Sequence, residues 1–403
     1  MPGLKTLAVV VAVQGGARWE PEDRSGWSHL LEHLVFKGAG DMAAREIVER
    51  IEAEGGSINA ATGYERTSFE VRGLEGSLPL ALQVLSDLVF RPTLDPVELE
   101  REKEVVAQEI AEAFDTPDDH VFEMVQTRAF RGQPLGRPIL GSIASLAPAD
   151  PTTVEAWRAR LYSPDRMVVA ASGAVEEGEL LRLAEQWFGD AIAAPVEPPA
   201  AASFVGGHAK LSRRIEQANL VFQLPAVGAN DPALPAMRLF SEILGGGMAS
   251  RLFQSAREER GLAYAIDAYQ EPYADAGVLG VYAGAAADRA RELAEVTAQE
   301  IKALAETGPT PAELSRAKAV LKAGLWMADE NPMSRAGRMA AQTLLFGAPI
   351  PSETTAERLD AQTVEDVRAL GGRLVQTRKT ASAVLGPRAA SGAGEAFEAV
   401  LLA

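Results

Sequence analysis

The 403-residue chain contains no cysteine. That excludes disulfides and thiolate metal sites, and leaves His, Asp and Glu to hold any transition metal. No apolar run approaches the roughly 20 residues needed to cross a bilayer, so a membrane is not expected as a partner. Positive charge is scarce: 39 Lys and Arg stand against 56 Asp and Glu, a formal net charge of −17. Such a chain repels polyanions and is not expected to bind nucleic acid. Only four histidines are present.

What remains is a well-buried globular composition, 47% hydrophobic and 24% charged, long enough for two domains of roughly 200 residues. The N-terminal "LKTLAVVVAVQGGA" has the outline of a signal peptide. Its apolar stretch is short and β-branched, and it reads better as a buried strand. The Ala/Pro-rich "DAIAAPVEPPAAASFVGG", residues 190–207, has no period and reads as a linker between domains spanning 1–189 and 208–403.

The two halves resemble each other. "DPVELEREKEVV" and "TPAELSRAKAVL" share Pro, Glu, Leu, Arg, Lys and Val at a constant offset of 215, and the same offset pairs Pro117 with Pro332. Spaced self-similarity of this kind is left by a duplicated domain. In the first half, residues 28–37, 41–54, 77–90, 95–113 and 118–130 read as helices. Residues 6–13 and 166–174 read as strands, and "GGSINAATGYERTSFEVRG" as a hairpin. The fold class expected is α+β: two homologous domains, each a mainly antiparallel sheet covered by helices on one face.

Two of the four histidines fall within "GWSHLLEHLVFKG". On a helix, His29 and His33 project from one face about 5–6 Å apart at Cβ, a workable spacing for two imidazole ligands on one tetrahedral zinc. Glu32 lies on nearly the same stripe and can reach water beside the metal without becoming a ligand. His-x-x-Glu-His is the inverzincin order. A catalytic zinc wants a third protein ligand. Glu102 and Glu109, seven apart on "LEREKEVVAQEIAEA", share a helix face, and spacing alone does not choose between them.

"HLLEH", "NAATGYERTSFE" and "EREKEVVAQEI" followed by "DTPDDHVFEMVQTRAFRGQPLGRPILG" together resemble the pitrilysin/insulinase family of zinc peptidases. The branch most similar is the two-domain one typified by the mitochondrial processing peptidase beta subunit and bacterial processing-peptidase-like proteins. The resemblance implies one Zn²⁺ per chain on His29, His33 and Glu109, with Glu32 as general base and Glu102 supporting the site. It implies that Asn59, Ala60, Ala61 and Thr62 form the edge strand on which substrate backbone lies by β-augmentation. Arg257 and Tyr264 match the family's Arg/Tyr pair: Arg257 would hold substrate carbonyls and Tyr264 would stabilise the oxyanion.

At the offset of 215, Glu109 falls on Gly324 and Glu102 on Ala317, and no histidine lies near "MRLFSEILGGG". The second half is therefore expected to lack metal. The resemblance implies an endopeptidase acting on unstructured peptides or presequences, possible cationic ones included, inside a dimeric clamshell. A homodimer would have composite sites, with Tyr264 of one subunit completing the site of the other. A heterodimer with a related subunit is the alternative assembly. The alternative function is a catalytically silent or partner-dependent structural subunit. His/His/Glu also suits Mn²⁺ or Co²⁺. Family members usually begin with a further strand upstream of "TLAVVVAV", so a start at Met1 is expected to expose a sheet edge. The compartment expected is cytoplasmic, or periplasmic if a targeting segment precedes.

Overall fold

The computed structural model describes residues 1, 3–193 and 196–403; Ala194 and Pro195, inside the expected linker, lie outside the described residues. In chain order the first half forms β1 (Thr6–Val13), α1 (Trp27–Val35), the short strands β2 (Gly38–Ala39) and β3 (Met42–Ala43), α2 (Ala44–Ala53), β4 (Ser57–Thr62) and β5 (Thr67–Leu74). It continues through α3 (Leu78–Phe90), α4 (Pro96–Asp115), α5 (Pro117–Ala129), α6 (Ile143–Leu146), α7 (Pro151–Leu161), β6 (Met167–Gly173) and α8 (Glu177–Phe188).

The second half begins with β7 (Gly207–Ser212), β8 (Gln217–Ala226), α9 (Leu234–Gly245), β9 (Ala263–Pro272), β10 (Gly277–Ala286), α10 (Ala290–Thr307) and α11 (Pro311–Glu330). It ends with α12 (Pro332–Phe346), α13 (Ser352–Asp360), α14 (Val364–Gln376), β11 (Ala381–Gly386) and α15 (Ala393–Leu402). The helices and strands expected in the first half form close to the expected bounds. The offset of 215 is visible in the elements: α4 and α11 are both 20 residues long and begin at Pro96 and Pro311. Proline suits the first turn of a helix, where its missing N–H has no partner to lose.

The chain forms two compact units. The first comprises Met1–Ala111, Arg137–Pro199 and Trp326–Pro351; the second comprises Glu112–Gly136, Ala200–Leu325 and Ser352–Ala403. Each half thus lends one helix to the other unit, α5 in one direction and α12 in the other. Compactness and chain order divide the molecule differently.

In the first unit the sheet order is β4-β5-β1-β6 and every pairing is antiparallel. β1 is central and buried on both faces, which explains its continuous run of apolar residues. Val9, Val11 and Val13 face the main helical layer, packed with Leu30, Leu34, Leu82 and Leu85. Ala8, Val10 and Ala12 face the other way, against Met333, Ala336 and Ala340 of α12. In the second unit the order is β7-β11-β8-β10-β9, antiparallel except for β7 and β11. Leu220, Phe222 and Leu224 of β8 join the helical core of α9, α10, α14 and α15. The opposite face meets α5, whose Phe122 packs on Tyr282 at 5.5 Å and Tyr269 at 5.6 Å. Both sheets are covered mainly on one face, with a single exchanged helix on the other. Among the described residues, no helix is long and apolar enough to cross a membrane.

Candidate metal centre and catalytic base

α1 forms because Trp27, Leu30, Leu31, Leu34 and Val35 bury one face, while His29, Glu32 and His33 occupy the half-exposed remainder. Its entry is fixed by two residues. Gly26 turns left-handed at φ 90°, and a Cβ there would lie 2.5 Å from the Leu140 carbonyl oxygen. The Glu20 carboxylate then accepts the backbone N–H groups of Gly26 at 2.8 Å and Ser28 at 2.7 Å, which satisfies donors that the first helical turn leaves free. Burial pushes the Glu20 carboxyl up to about 7, against the pull of those hydrogen bonds.

α4 supplies the opposing carboxylates. Glu102 is buried, receives the Lys37 ammonium at 2.8 Å and meets His33 Nδ1 at 3.0 Å. With both oxygens engaged it holds the His33 ring and directs Nε2 away from itself. Glu109 Oε2 lies 3.5 Å from His33 Nε2 and 3.8 Å from His29 Nε2. The ligand atoms of these three residues all fall within 4.8 Å of one another. Zinc bonds of about 2.0–2.2 Å in tetrahedral geometry set neighbouring ligand atoms about 3.4 Å apart, so small movements would close the set on an ion.

The electrostatics fit a cation. Burial, with His33 beside it, pushes His29 down to about 4, keeping the imidazole neutral with a lone pair available. His29 Nδ1, Glu32 Oε2 and Glu109 Oε2 are buried without hydrogen-bond partners, an expensive arrangement for protein atoms alone. A divalent ion with its water would answer two of these deficits at once.

Glu32 sits beside the trio, pushed up by burial and pulled back by the Thr62 hydroxyl and backbone. Thr62 ends β4, the sheet edge, whose Asn59 and Ala61 point to solvent while Ala60 packs toward the core. The four expected strand residues therefore lie on an edge whose outer hydrogen-bonding side has no strand partner among the described residues. Arg257 and Tyr264 belong to the second unit. Tyr264 is 60% exposed on β9, and Arg257 stacks over Phe253 at 4.7 Å.

Three supporting residues escape a motif reading. Lys37 stands four after His33, a helical spacing that could have tied it to the site. Glu20 and Tyr162 carry no local signal. Tyr162 packs on Phe69 at 5.6 Å, and burial together with the Glu32 charge raises its phenol.

Comparison with known proteins bears on this arrangement. The model of the insulinase family, peptidase family M16, matches residues 2–143, and that of the peptidase M16 inactive domain matches residues 149–321. A Mycobacterium tuberculosis protein named as an uncharacterized zinc protease is 34% identical over 393 residues, 96% of this chain and 90% of that protein. One of the same description from Bacillus subtilis is 32% identical over 390 residues, 96% and 94% of the two chains. Among solved structures, a protease from Helicobacter pylori superposes with a TM-score of 0.86 at 20% identity over 95% of each chain. A peptidase M16 inactive domain from Pseudomonas fluorescens gives 0.85 at 20% identity, covering 96% of this chain and 94% of that one; both share the fold. With His29, Glu32 and His33 in the segment matched to the insulinase model, and a duplicated half that falls largely in the segment matched to the inactive-domain model, the chain belongs to the insulinase family of peptidases, M16.

Proposed function

We propose that this chain is a zinc-dependent endopeptidase acting on unstructured peptides. The observation that carries the reading is the convergence of His29, His33 and Glu109, with a half-buried carboxylate, Glu32, beside them and outside the ligand set. Bound there, zinc would supply Lewis acidity toward the scissile carbonyl and lower the pKa of water toward about 7.

The protein's own groups do the rest. Glu102 locks His33 in the tautomer that presents Nε2. Glu32 takes a proton from the attacking water and returns it to the leaving amine; its burial makes it a stronger base than a solvated carboxylate. The outer edge of β4 at Asn59–Thr62 binds substrate backbone as an added strand, which gives affinity with little demand on sequence. Arg257 and Tyr264 would act on substrate carbonyls and the oxyanion, in a homodimer whose subunits complete each other's sites. The charge of −17 favours peptides bearing Arg or Lys, and their kcat/KM should fall as salt rises.

The test is cleavage of an unstructured, Arg-containing quenched-fluorescence peptide by wild type, by chelated and zinc-restored protein, and by Glu32→Gln at equal metal content. Activity lost with chelator, restored by zinc and absent in the variant supports the assignment. No cleavage of several peptides by folded, zinc-loaded wild type would overturn it in favour of a structural subunit. A Glu32→Gln chain mixed with Tyr264→Phe tests the composite site: recovered activity supports it, and none despite verified mixed dimers counts against it.

A further inference from the structure

The second unit contains a counterpart of the metal centre, with different chemistry. At an offset of 209, α1 maps onto α9: Leu30, Leu31, Leu34 and Val35 fall on Leu239, Phe240, Ile243 and Leu244, all buried. On the other face, His29, Glu32 and His33 fall on Arg238, Ser241 and Glu242. These three line a cavity of about 420 Å³, walled by Gln270 of β9 and by Leu321 and Leu325 of α11. That volume lies within the roughly 300–1,000 Å³ of small-ligand sites.

The cavity holds unmatched groups. In a chain with 17 more acidic than basic residues, Arg238 has no carboxylate partner among the described residues, and burial alone acts on its guanidinium. Glu242, four residues on, is pushed up by burial and drawn back by Arg316 rather than by Arg238. Gln270 lines the cavity, and its Oε1, turned out of reach of water, accepts no hydrogen bond, so a turn of the side-chain amide would present it to a ligand. Among the described residues β9 forms the edge of its sheet, paired only with β10.

Each deficit specifies part of a ligand. The guanidinium calls for an anion of planar, two-oxygen form. The orphaned amide oxygen calls for an N–H donor, and the leucines call for an apolar group. The free strand edge accepts extended backbone. A carboxylate, an amide N–H and an apolar side chain on one extended segment make up the C-terminal residue of a peptide; a simple organic acid lacks the donor. We propose that this cavity binds the free C-terminal carboxylate of a peptide, with Arg238 on the carboxylate and Gln270 on the preceding N–H. The proposal rests on the peptidase reading for the ligand's being a peptide, and not for the site's existence.

The experiment uses the zinc-loaded Glu32→Gln chain, so that no ligand is consumed. Fluorescence anisotropy compares an N-terminally labelled Gly-Ser-Ala-Gly-Ala-Leu peptide carrying a free carboxylate with its C-terminal amide. The free acid should bind roughly tenfold more tightly, the scale of one charge-assisted pair. Arg238→Gln should abolish that difference and Arg238→Lys restore part of it. The difference should persist after chelation, which separates this site from a carboxylate captured by zinc. Leu325→Trp, which fills the cavity without altering its charge, should also remove the difference and serves if Arg238→Gln fails to fold. Equal binding of the two peptides, or a difference that survives Arg238→Gln or Leu325→Trp, overturns the proposal. Failure of wild type to hydrolyse any peptide would overturn the peptidase reading while leaving this measurement intact.

Discussion

The two halves present the same three elements, a short amphipathic helix, a 20-residue helix and an edge strand, and put different chemistry on them. In the first, His29, Glu32 and His33 of α1 face Glu102 and Glu109 of α4. In the second, Arg238, Ser241 and Glu242 of α9 share a cavity wall with α11, where Glu102 and Glu109 are matched by Ala317 and Gly324. Four apolar positions correspond and remain buried in both helices. The apolar face decides that the helix forms and where it packs, and the opposite face is free to change. Scaffold and chemistry occupy different sides of the same helix, so one can diverge without unfolding the other.

The largest effect should come from making the first half resemble the second. Glu109→Ala gives α4 the bare surface α11 has at Gly324. It should lose bound zinc by elemental analysis and lower kcat by roughly 10³-fold or more, the value of several kcal/mol of Lewis-acid stabilisation. Next, Glu32→Gln should retain one zinc per chain while kcat falls about 10²–10⁴-fold; substantial activity in that variant would refute the role of Glu32. Glu102→Ala should weaken zinc binding about 10–100-fold in competition with a chelator, because His33 loses the acceptor that orients it.

The smallest effect separates the two helix entries. Upstream carboxylates cap both, Glu20 on Gly26 and Ser28 of α1 and Asp231 on the Ala233 N–H of α9 at 2.8 Å. Burial raises Glu20, whereas Asp231, against the pull of burial, is held below its usual value by Arg373 and the Ala233 N–H. The folded Glu20 pKa, about 7 against the usual 4.5, means that the unfolded chain releases this proton first as pH rises. Stability should therefore fall by roughly 2–3 kcal/mol between about pH 4.5 and 7. Glu20→Gln should flatten that slope in denaturant titrations at several pH values; an unchanged slope would assign it to other groups.

Much of this molecule was legible in its sequence. β1 was readable because burial on both faces leaves an uninterrupted apolar run, and α4 because its duplicate, α11, repeats it at a fixed spacing. His29, Glu32 and His33 were readable because one helical turn carries their geometry. Glu102 and Glu109 were not separable by spacing, since both lie on one stripe; what distinguishes them is that Lys37 and His33 Nδ1 already engage Glu102. Glu20 carries no signal because its partners are backbone N–H groups, which every residue possesses. The exchange of α5 and α12 was hidden because their amphipathic faces look the same whichever sheet they cover. The cavity at Arg238 was hidden because an arginine on a helix is ordinarily solvated, and its lack of a partner exists only in the fold.

That exchange sets a timetable for synthesis. The strands of the first sheet are complete once β6 has been made, at Gly173, yet the face bearing Ala8, Val10 and Ala12 waits for α12, which ends at Phe346. At about 5–20 residues per second, roughly 9–35 s of translation separate the two events. The half that carries the candidate metal centre can close only after α12 has been made. A nascent peptidase built this way reaches its finished form late, after its inactive counterpart has largely been made.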